Sequence, residues 1–367
     1  MRKAYINNTL IRSACGNTTE TFDAIYTQKT SLTAFSDIVP QKTVCIGKFP
    51  HSIAFDKLLD DSMQEILKES NLENFSNTLL LVGSSVGGMA TTEKVLFSEN
   101  SYENIDIKKH TIDTIASSLD EKYNFKSTRS FSTACTSSAN ALKVAKELIE
   151  VGAYENVVVL GADEICQTTI FGFSALGVLS DEVCTPFQNA RKGMNVAEGV
   201  GILLLQSHPE AGAIELIGAG TSSDAFHIAN PDPSAQGAIR AISNALENAS
   251  LNPSDIGYIN AHGTGTNAND TTEAKAILEI FGEDICVSST KSNTGHTLGA
   301  AGAIEAIICV ETLKRGLLPP QIRCDDNESS LNFVCEAQKK KINYAVSNSF
   351  AFGGNNTSLI FGVCDDN

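Results

Sequence analysis

The sequence predicts an α/β protein with a largely buried mixed sheet, and three observations lead to that fold class. Short apolar runs alternate along the chain with patterns typical of helices. The runs are apolar throughout rather than alternating, as in strands that helices cover on both faces. No low-complexity tract or Pro-rich linker divides the 367 residues, so we expect one compact unit with ample room for a core.

Five segments are predicted as strands. In chain order, a strand over 78–84 enters a Gly-rich turn, a central strand covers 156–161, and a third covers 201–205. Two shorter strands are expected at 258–261 and 345–349. Because helical patterns lie between these runs, the strands are expected to form one layered sheet system rather than hairpins.

Two segments of the chain repeat one pattern and indicate an internal duplication. Segment 129–160 contains a strand, a turn of small residues with Cys135, an Ala-rich helix and a second strand. Segment 285–316 contains a strand, a turn with His296 and an Ala/Ile-rich helix. Helices with Ala at nearly every turn and little charge are buried rather than amphipathic. Two such helices between sheets predict a layered fold of two halves, 1–207 and 208–367.

The charge balance excludes several classes of function. The chain carries 27 Lys and Arg against 43 Asp and Glu, a formal net charge of −16, whereas a general nucleic-acid binder needs a basic face. Trp is absent and aromatic residues make up only 7%, which argues against stacking platforms. No apolar run reaches the roughly 18 residues of a membrane helix, and the first residues turn polar too soon for a signal peptide. We expect a cytoplasmic protein without nucleic-acid or membrane partners.

The ten cysteines are not spaced like metal ligands. The closest two, Cys324 and Cys335, are 11 residues apart, so no CxxC motif exists. A chain of this length does not need disulfides for stability. We therefore expect no metal site, one reactive cysteine and nine small buried apolar residues in a reducing compartment.

The first candidate site is the segment 133–139, Thr-Ala-Cys-Thr-Ser-Ser-Ala. Cys135 lies between a predicted strand and the start of a helix, where unpaired N–H groups and the helix dipole favour a thiolate. The same N–H groups suit a developing oxyanion. The alternative is a buried structural cysteine, but the small neighbours leave space for a substrate.

The second candidate site is the segment 260–266, Asn-Ala-His-Gly-Thr-Gly-Thr. A strand ends just before His262, so the imidazole projects from a turn rather than from a packed face. The glycines on either side of Thr264 leave room for a ligand. The alternative is a histidine of a surface loop.

The third candidate site is the segment 289–302, in which Lys291 and His296 precede a buried helix. Glu305 is a lone carboxylate on that apolar helix, and a buried unpaired carboxylate is costly. We therefore expect Glu305 to pair with Lys291. The alternative is a capping turn with a surface lysine.

The fourth candidate site is the segment 348–356, which contains Phe352 followed by Gly353 and Gly354. The glycines allow positive φ and a close backbone approach. The N–H of Phe352 is then placed to complete an oxyanion hole, with its ring as a gate. The alternative is an ordinary β-turn between two strands.

One cysteine and two histidines from distant segments form a set suited to thiol acyl transfer. Neither histidine has an obvious carboxylate to orient it, unlike the histidine of a hydrolytic triad. The set suits a reaction that stabilises an enolate and a carbonyl without activating water.

The four motifs resemble those of the β-ketoacyl-acyl carrier protein synthases of the thiolase superfamily, above all the elongating enzymes with two histidines. The similarity runs in order from about residue 78 to 362. It implies a five-layered αβαβα sandwich with two duplicated halves. It also implies a decarboxylative Claisen condensation of an acyl thioester with malonyl-acyl carrier protein. The pathway would be type II fatty-acid synthesis or specialised polyketide or aryl polyene synthesis.

The resemblance also implies roles for single residues. Cys135 would carry the acyl chain as a thioester. His262 and His296 would bind the malonyl thioester carbonyl and assist decarboxylation. Lys291 and Glu305 would position His296.

Further roles follow from the same resemblance. The backbone N–H groups of Cys135 and Phe352 would form the oxyanion hole, and Phe352 would be the gate. The remaining implied residues contact the substrate or support the site as an acidic pair: Thr264, Thr266 and Phe171 for the substrate, and Asp270 and Glu273 for the pair.

The resemblance implies no cofactor, since the substrates arrive on the phosphopantetheine of an acyl carrier protein. Family members are usually dimers, so either a homodimer or a heterodimer with a chain-length-factor-like subunit is expected. The alternative function is a subunit that is active or stable only with that partner.

The chain departs from the family pattern where relatives dock the acidic carrier. The stretch between about 40 and 130 is short, and the segment 55–61 is acidic rather than basic. Other basic residues are then candidates for the docking surface: Lys108, Lys109, Arg191 and Lys192.

Overall fold

The computed structural model describes residues 2–50 and 53–364, and these form sixteen strands and ten helices. The elements up to residue 206 are β1 (Tyr5–Ser13), β2 (Gly16–Asn17), α1 (Thr18–Tyr26), β3 (Thr33–Val39), β4 (Lys42–Ile46), α2 (Phe55–Glu69), β5 (Thr78–Gly83), α3 (Met89–Glu99), α4 (Thr114–Tyr123), β6 (Ser127–Phe131), α5 (Ser137–Glu150), β7 (Asn156–Asp163), α6 (Gln167–Ala175) and β8 (Gly199–Gln206).

The later elements include the second central helix, α10. They are β9 (Ile214–Ser223), α7 (Gln236–Ala249), β10 (Tyr258–Asn260), α8 (Asn267–Phe281), β11 (Cys286–Ser288), α9 (Lys291–Thr294), α10 (Ala301–Arg315), β12 (Leu317–Leu318), β13 (Asn332–Phe333), β14 (Gln338–Lys339), β15 (Tyr344–Phe350) and β16 (Asn355–Val363). All five predicted strands are present, and the Ala-rich helix predicted within segment 129–160 is α5.

One mixed sheet of twelve strands connects the two halves of the described chain. Its spatial order is β13-β11-β10-β15-β16-β9-β1-β8-β7-β5-β6, with β2 beside β1. The strands before residue 207 lie on one side and those after it on the other. Only two residue pairs join β1 to β9, Tyr5 with Glu215 and Ile6 with Ile214. The junction is therefore narrow, while the division of the chain into 1–207 and 208–367 remains a prediction.

The sheet halves enclose α5 and α10, which contact strands of both halves. Alternate residues of β5 point to opposite faces, as the period of a strand requires. Leu79 and Leu81 pack in the cluster that contains α5 and α10, whereas Leu80 and Val82 pack against α2 and α4. Helix α7 covers the outer face of the second half. The layers are thus helix, sheet, helix, sheet, helix, and the predicted αβαβα sandwich is confirmed.

The two central helices approach closely at small residues. A Cβ at Gly302 would lie 2.7 Å from the backbone nitrogen of Ala139, so only glycine fits there without a shift. The N–H of Ala303 donates a hydrogen bond of 2.8 Å to the hydroxyl of Ser138. Because the N-terminal ends of both helices meet here, the turn with Cys135 before α5 and the turn with His296 before α10 lie close together.

The prediction for the cysteines is wrong at two positions. Cys324 and Cys335 form a disulfide rather than acting as separate packing residues. The chain reverses between them, so that two residues 11 apart in the sequence have Cα atoms 5.7 Å apart. Most of the other cysteines are buried, as expected for small apolar side chains: Cys45, Cys135, Cys166, Cys184, Cys286 and Cys309.

The acidic segment 55–61 opens the amphipathic helix α2. Leu58 and Leu59 face the core, while Asp56 and Asp61 lie on the outer side. Among the described residues, every helix is too short or too polar to cross a bilayer.

Candidate active site

Cys135 lies in the turn between β6 and α5, directly before the helix begins. Ala134 has φ of +53°, a left-handed conformation that costs energy for a residue with a side chain. The hydroxyl of Ser137 holds the turn, because it donates to the carbonyl of Ala134 at 2.6 Å and accepts from the N–H of Thr133 at 3.0 Å. The strained turn positions the thiol at the N-terminal end of a buried helix.

The thiol of Cys135 is in a dry environment. Burial raises its pKa to about 11, against the opposing effects of Lys291 and of hydrogen bonds from the backbone N–H groups of Phe352 and of Cys135 itself. The two N–H groups assigned to the oxyanion hole therefore both reach the reacting centre. They are placed to stabilise a negative charge that develops there during reaction.

His296 contacts Cys135 directly, with Nε2 3.0 Å from the Sγ of the cysteine. Its Nδ1 accepts a hydrogen bond of 3.1 Å from the N–H of Leu298. An Nδ1 that accepts leaves the proton of the neutral ring on Nε2. His296 thus presents an Nε2–H to the space beside the thiol.

His262 follows β10 and is also buried. The ammonium of Lys291 lies 3.3 Å from its Nδ1 and acts as donor, so the ring proton again lies on Nε2. The two imidazole rings are perpendicular, with centroids 5.2 Å apart. Burial, followed by the charge of Lys291, holds the pKa of both histidines well below the usual value, so both are neutral at pH 7.

The resemblance implied that Lys291 and Glu305 position His296, and the structure corrects this. Lys291 forms an ion pair with Glu305 and contacts the ring of His262. The reason is the register of two parallel strands, in which Asn260 of β10 lies beside a residue of β11. The turns that follow these strands are therefore neighbours, whereas the chain turns away at Gly295 before it reaches His296.

The acidic pair predicted behind the site supports the turn that carries His262. Glu273 accepts the N–H groups of His262 and Gly263, both at 2.8 Å. Asp270 accepts the N–H of Thr264 at 3.1 Å and that of Phe187 at 2.8 Å. Both carboxylates accept hydrogen bonds from backbone N–H groups, which explains why two acidic side chains can be buried here.

Cys135, His262 and His296 are residue types that bind zinc, and a ligand atom from each lies within 4.8 Å of the others. Zinc would need the lone pair of each Nε2. The donors at the two Nδ1 atoms, from Leu298 and Lys291, instead keep the protons on Nε2. The donor set therefore fits a substrate oxygen better than a metal.

Two cavities meet at Cys135. One of about 290 Å³ is lined by both histidines and by Thr264 and Thr266, which the resemblance assigned to the substrate. The other, of about 480 Å³, runs from Cys135 along α6. Phe352 borders both cavities, and this position is consistent with the gate that the sequence predicts.

The side chain of α6 that lines the cavities is Phe173, not Phe171, which the resemblance assigned to the substrate. Phe171 is 40% exposed and borders neither cavity, whereas Phe173 borders both and lies 6.0 Å from the ring of Phe352. Side chains two residues apart on a helix point to nearly opposite sides.

Among the basic residues considered for docking, Arg191 is buried in an ion pair with Glu328, while Lys192 is half exposed beside the first cavity.

Sequence reasoning missed two groups that support the site. The N–H of Leu298 carried no signal in the sequence. Asp163 did carry one, because it is the lone acid at the end of the apolar strand β7.

The comparisons with known proteins agree with this geometry. The family model described as the β-ketoacyl synthase N-terminal domain matches residues 54–211, and the model of the C-terminal domain matches residues 213–325. A 3-oxoacyl-acyl-carrier-protein synthase 2 of Vibrio harveyi is 33% identical over 329 residues, 83% of this chain and 78% of that protein. The chain belongs to the β-ketoacyl synthase family.

Other family members extend the likeness. The Staphylococcus aureus 3-oxoacyl-acyl-carrier-protein synthase 2 is 40% identical over 247 residues, 62% of this chain, and the match spans 61% of that protein. A ketosynthase from Xenorhabdus doucetiae, solved in complex with its chain length factor, has a TM-score of 0.89 at 33% identity. The match covers 99% of this chain and 98% of the solved chain. A β-ketoacyl synthase of Burkholderia phymatum STM815 has a TM-score of 0.90 at 26% identity over the full length of both chains.

Removing the charge of Lys291 is expected to destabilise the fold. Lys291→Met leaves Glu305 buried without a partner, at a cost of about 3–5 kcal/mol. The double variant Lys291→Met with Glu305→Leu should recover most of that loss. Lys57→Met is the matched control, because its pair with Asp61 is exposed and contributes at most about 1 kcal/mol. Urea unfolding of the wild type and the three variants measures these differences, and a Lys291→Met protein as stable as the control would contradict the buried pair.

The raised pKa of Cys135 predicts how the thiol reacts with pH. Below a pKa of about 11 the thiolate fraction rises about tenfold for each pH unit. Alkylation of Cys135 by iodoacetamide should therefore accelerate from pH 6 to pH 9 without a plateau. Peptide mass spectrometry assigns the modified residue, and a plateau below pH 8 would show that the thiol is ionised in the resting protein.

Proposed function

We propose that the protein catalyses the decarboxylative condensation of an acyl thioester with malonyl-acyl carrier protein. One observation carries the proposal: two neutral histidines present Nε2–H donors beside a cysteine thiol, with both Nδ1 atoms occupied by donors. Such a pair stabilises an enolate oxygen. Neither ring has a free lone pair to remove a proton from water, which disfavours hydrolysis of the thioester.

The proposed reaction has two stages. In the first, the Cys135 sulfur loses its proton and attacks the carrier-bound acyl carbonyl, whose oxygen lies between the N–H groups of Cys135 and Phe352. The bond from the carbonyl carbon to the carrier sulfur breaks, and the carrier thiolate that leaves takes up the proton given up by Cys135. In the second, malonyl-carrier loses carbon dioxide, and its enolate oxygen binds the Nε2–H groups of His262 and His296. The enolate carbon then attacks the Cys135 thioester, and collapse of the adduct releases β-ketoacyl-carrier and the Cys135 thiolate.

The linings of the two cavities support this order of steps. The larger cavity along α6 suits the acyl chain because apolar side chains such as Phe173, Leu176 and Leu298 line it. The cavity with Thr264 and Thr266 suits the amide groups of the phosphopantetheine arm. The acyl carrier protein is thus the proposed partner.

The test is reconstitution with defined substrates. The protein is mixed with acyl-carrier and malonyl-carrier, and the product is identified by mass spectrometry. A product heavier than the acyl-carrier by one ketide unit supports the proposal. Release of carbon dioxide without ketoacyl product, or hydrolysis of the acyl thioester, would contradict it.

A second candidate function is that of a subunit which acts only beside a chain-length-factor-like partner. Strand β6, which leads into the Cys135 turn, lies at the end of the sheet order. The solved relative from Xenorhabdus doucetiae is itself in complex with its chain length factor. Light scattering and activity of the chain alone distinguish the two: an active homodimer refutes the need for a second subunit.

A further inference from the structure

Asp163 is a buried carboxylate that the proposed reaction does not use. It ends β7 and is 1% exposed. Its Oδ1 accepts the hydroxyl of Ser84 at 2.5 Å and the N–H of Val86 at 2.9 Å, and both oxygens lie 3.0 Å from the nitrogen of Ser85. Its Oδ2 accepts the N–H of Gly299 at 2.6 Å. One side chain thus joins the turn after β5 to the turn before α10.

Both turns form the wall of the cavity along α6. Ser85, Val86 and Leu298 all line it. A carboxylate that binds backbone N–H groups of both turns fixes the distance between the two turns. The width of the proposed acyl cavity therefore depends on Asp163.

The second of these turns also sets the protonation form of His296. The N–H of Leu298 donates to Nδ1 of His296, and Leu298 has φ of +54°, which is strained for a leucine. The next peptide N–H, that of Gly299, is the one bound by Asp163. A Cβ at Gly299 would lie 2.8 Å from that carboxylate, so the turn and Asp163 fit closely.

From these contacts we infer that Asp163 is a positioning residue: it keeps His296 in the Nε2–H form and sets the width of the acyl cavity. The inference rests on the proposed function, since it names the group that links acyl-chain selection to condensation. In each of these hydrogen bonds Asp163 accepts from an O–H or N–H donor, which favours its ionised form. Burial raises the pKa of Asp163 to about 6, which leaves the carboxylate mostly ionised at pH 7.

Asp163→Asn tests the inference, because its amide nitrogen would face the N–H of Gly299 and lose that bond. We expect kcat for condensation to fall about 10- to 100-fold, less than the roughly 10²- to 10³-fold for removal of an oxyanion donor itself, because Asp163 acts through His296. Acylation of Cys135 by a short acyl-carrier should change much less, because it forms no enolate and a short chain leaves most of the cavity empty. In ¹⁵N NMR of labelled histidine, His296 should change from one tautomer to a mixture.

Two further variants complete the test. Ser84→Ala removes the hydroxyl that donates to Asp163 and should reduce condensation by roughly twofold to fivefold. This variant tests the role of Asp163 if Asp163→Asn does not fold. Asp120→Asn is the matched control, because Asp120 accepts one backbone N–H, that of Phe125, away from the site.

Three outcomes would overturn the inference: wild-type kcat in Asp163→Asn, an equal loss of acylation and condensation with an unchanged His296 spectrum, or wild-type kcat in Ser84→Ala. A wild-type protein that forms no ketoacyl product would refute the proposed function instead. In that case the NMR comparison still tests whether Asp163 determines the tautomer of His296.

Discussion

Cys135→Ala is expected to abolish formation of the acyl-enzyme and to lower condensation by at least about 10⁴-fold, because the variant loses the thiol that carries the acyl chain in the proposed reaction. Among the described residues, the Cys135 thiol is the one with His296 at 3.0 Å and two backbone N–H donors directed at it. Intact-protein mass spectrometry after incubation with acyl-carrier measures the first effect, and product formation measures the second.

Cys15→Ala is the control for that experiment, since Cys15 is half buried in the turn between β1 and β2. It should form acyl-enzyme at the wild-type rate. Accumulation of acyl-enzyme in Cys135→Ala would show that the nucleophile lies elsewhere.

His262→Ala is expected to separate the two stages of the reaction. The ring of His262 is held by Lys291, whereas Cys135 is contacted by His296. Loss of one donor to the enolate should lower condensation by about 10²- to 10³-fold. Acylation of Cys135, which does not form the enolate, should remain within a few-fold of wild type.

Pre-steady-state acylation and steady-state condensation, measured on the same preparation, provide the comparison. His110→Ala is the matched control, because His110 bonds to the hydroxyl of Thr92 outside the site. If His262→Ala lost acylation and condensation equally, the assignment of His262 to the enolate would be wrong.

Elements with strong local patterns were predictable from the sequence. The strands β5, β7 and β8 are uniformly apolar because both of their faces are covered, and helix α5 is rich in alanine because it lies between sheet halves. The candidate cysteine and histidines could also be identified, since Cys135 and His262 lie in turns of small residues that follow a strand, and His296 follows the short helix α9. In these cases the signal is local.

Contacts between distant segments were not predictable in this way. The sequence placed Lys291 near His296, five residues on, whereas the register of β10 and β11 brings it to His262. The periodicity of α6 did not indicate whether Phe171 or Phe173 faces the cavity, since that depends on how the helix rotates against its neighbours.

By itself, then, the sequence determined the layered α/β fold and the family, and it predicted the nucleophile and its two histidines. Only the tertiary structure decided which histidine Lys291 supports, where Asp163 binds and that Cys324 pairs with Cys335. The physical reason is that propensity and burial act over a few neighbouring residues, whereas hydrogen bonds between turns depend on strand register and helix packing. The proton positions on His262 and His296, on which the proposed chemistry depends, belong to this second class.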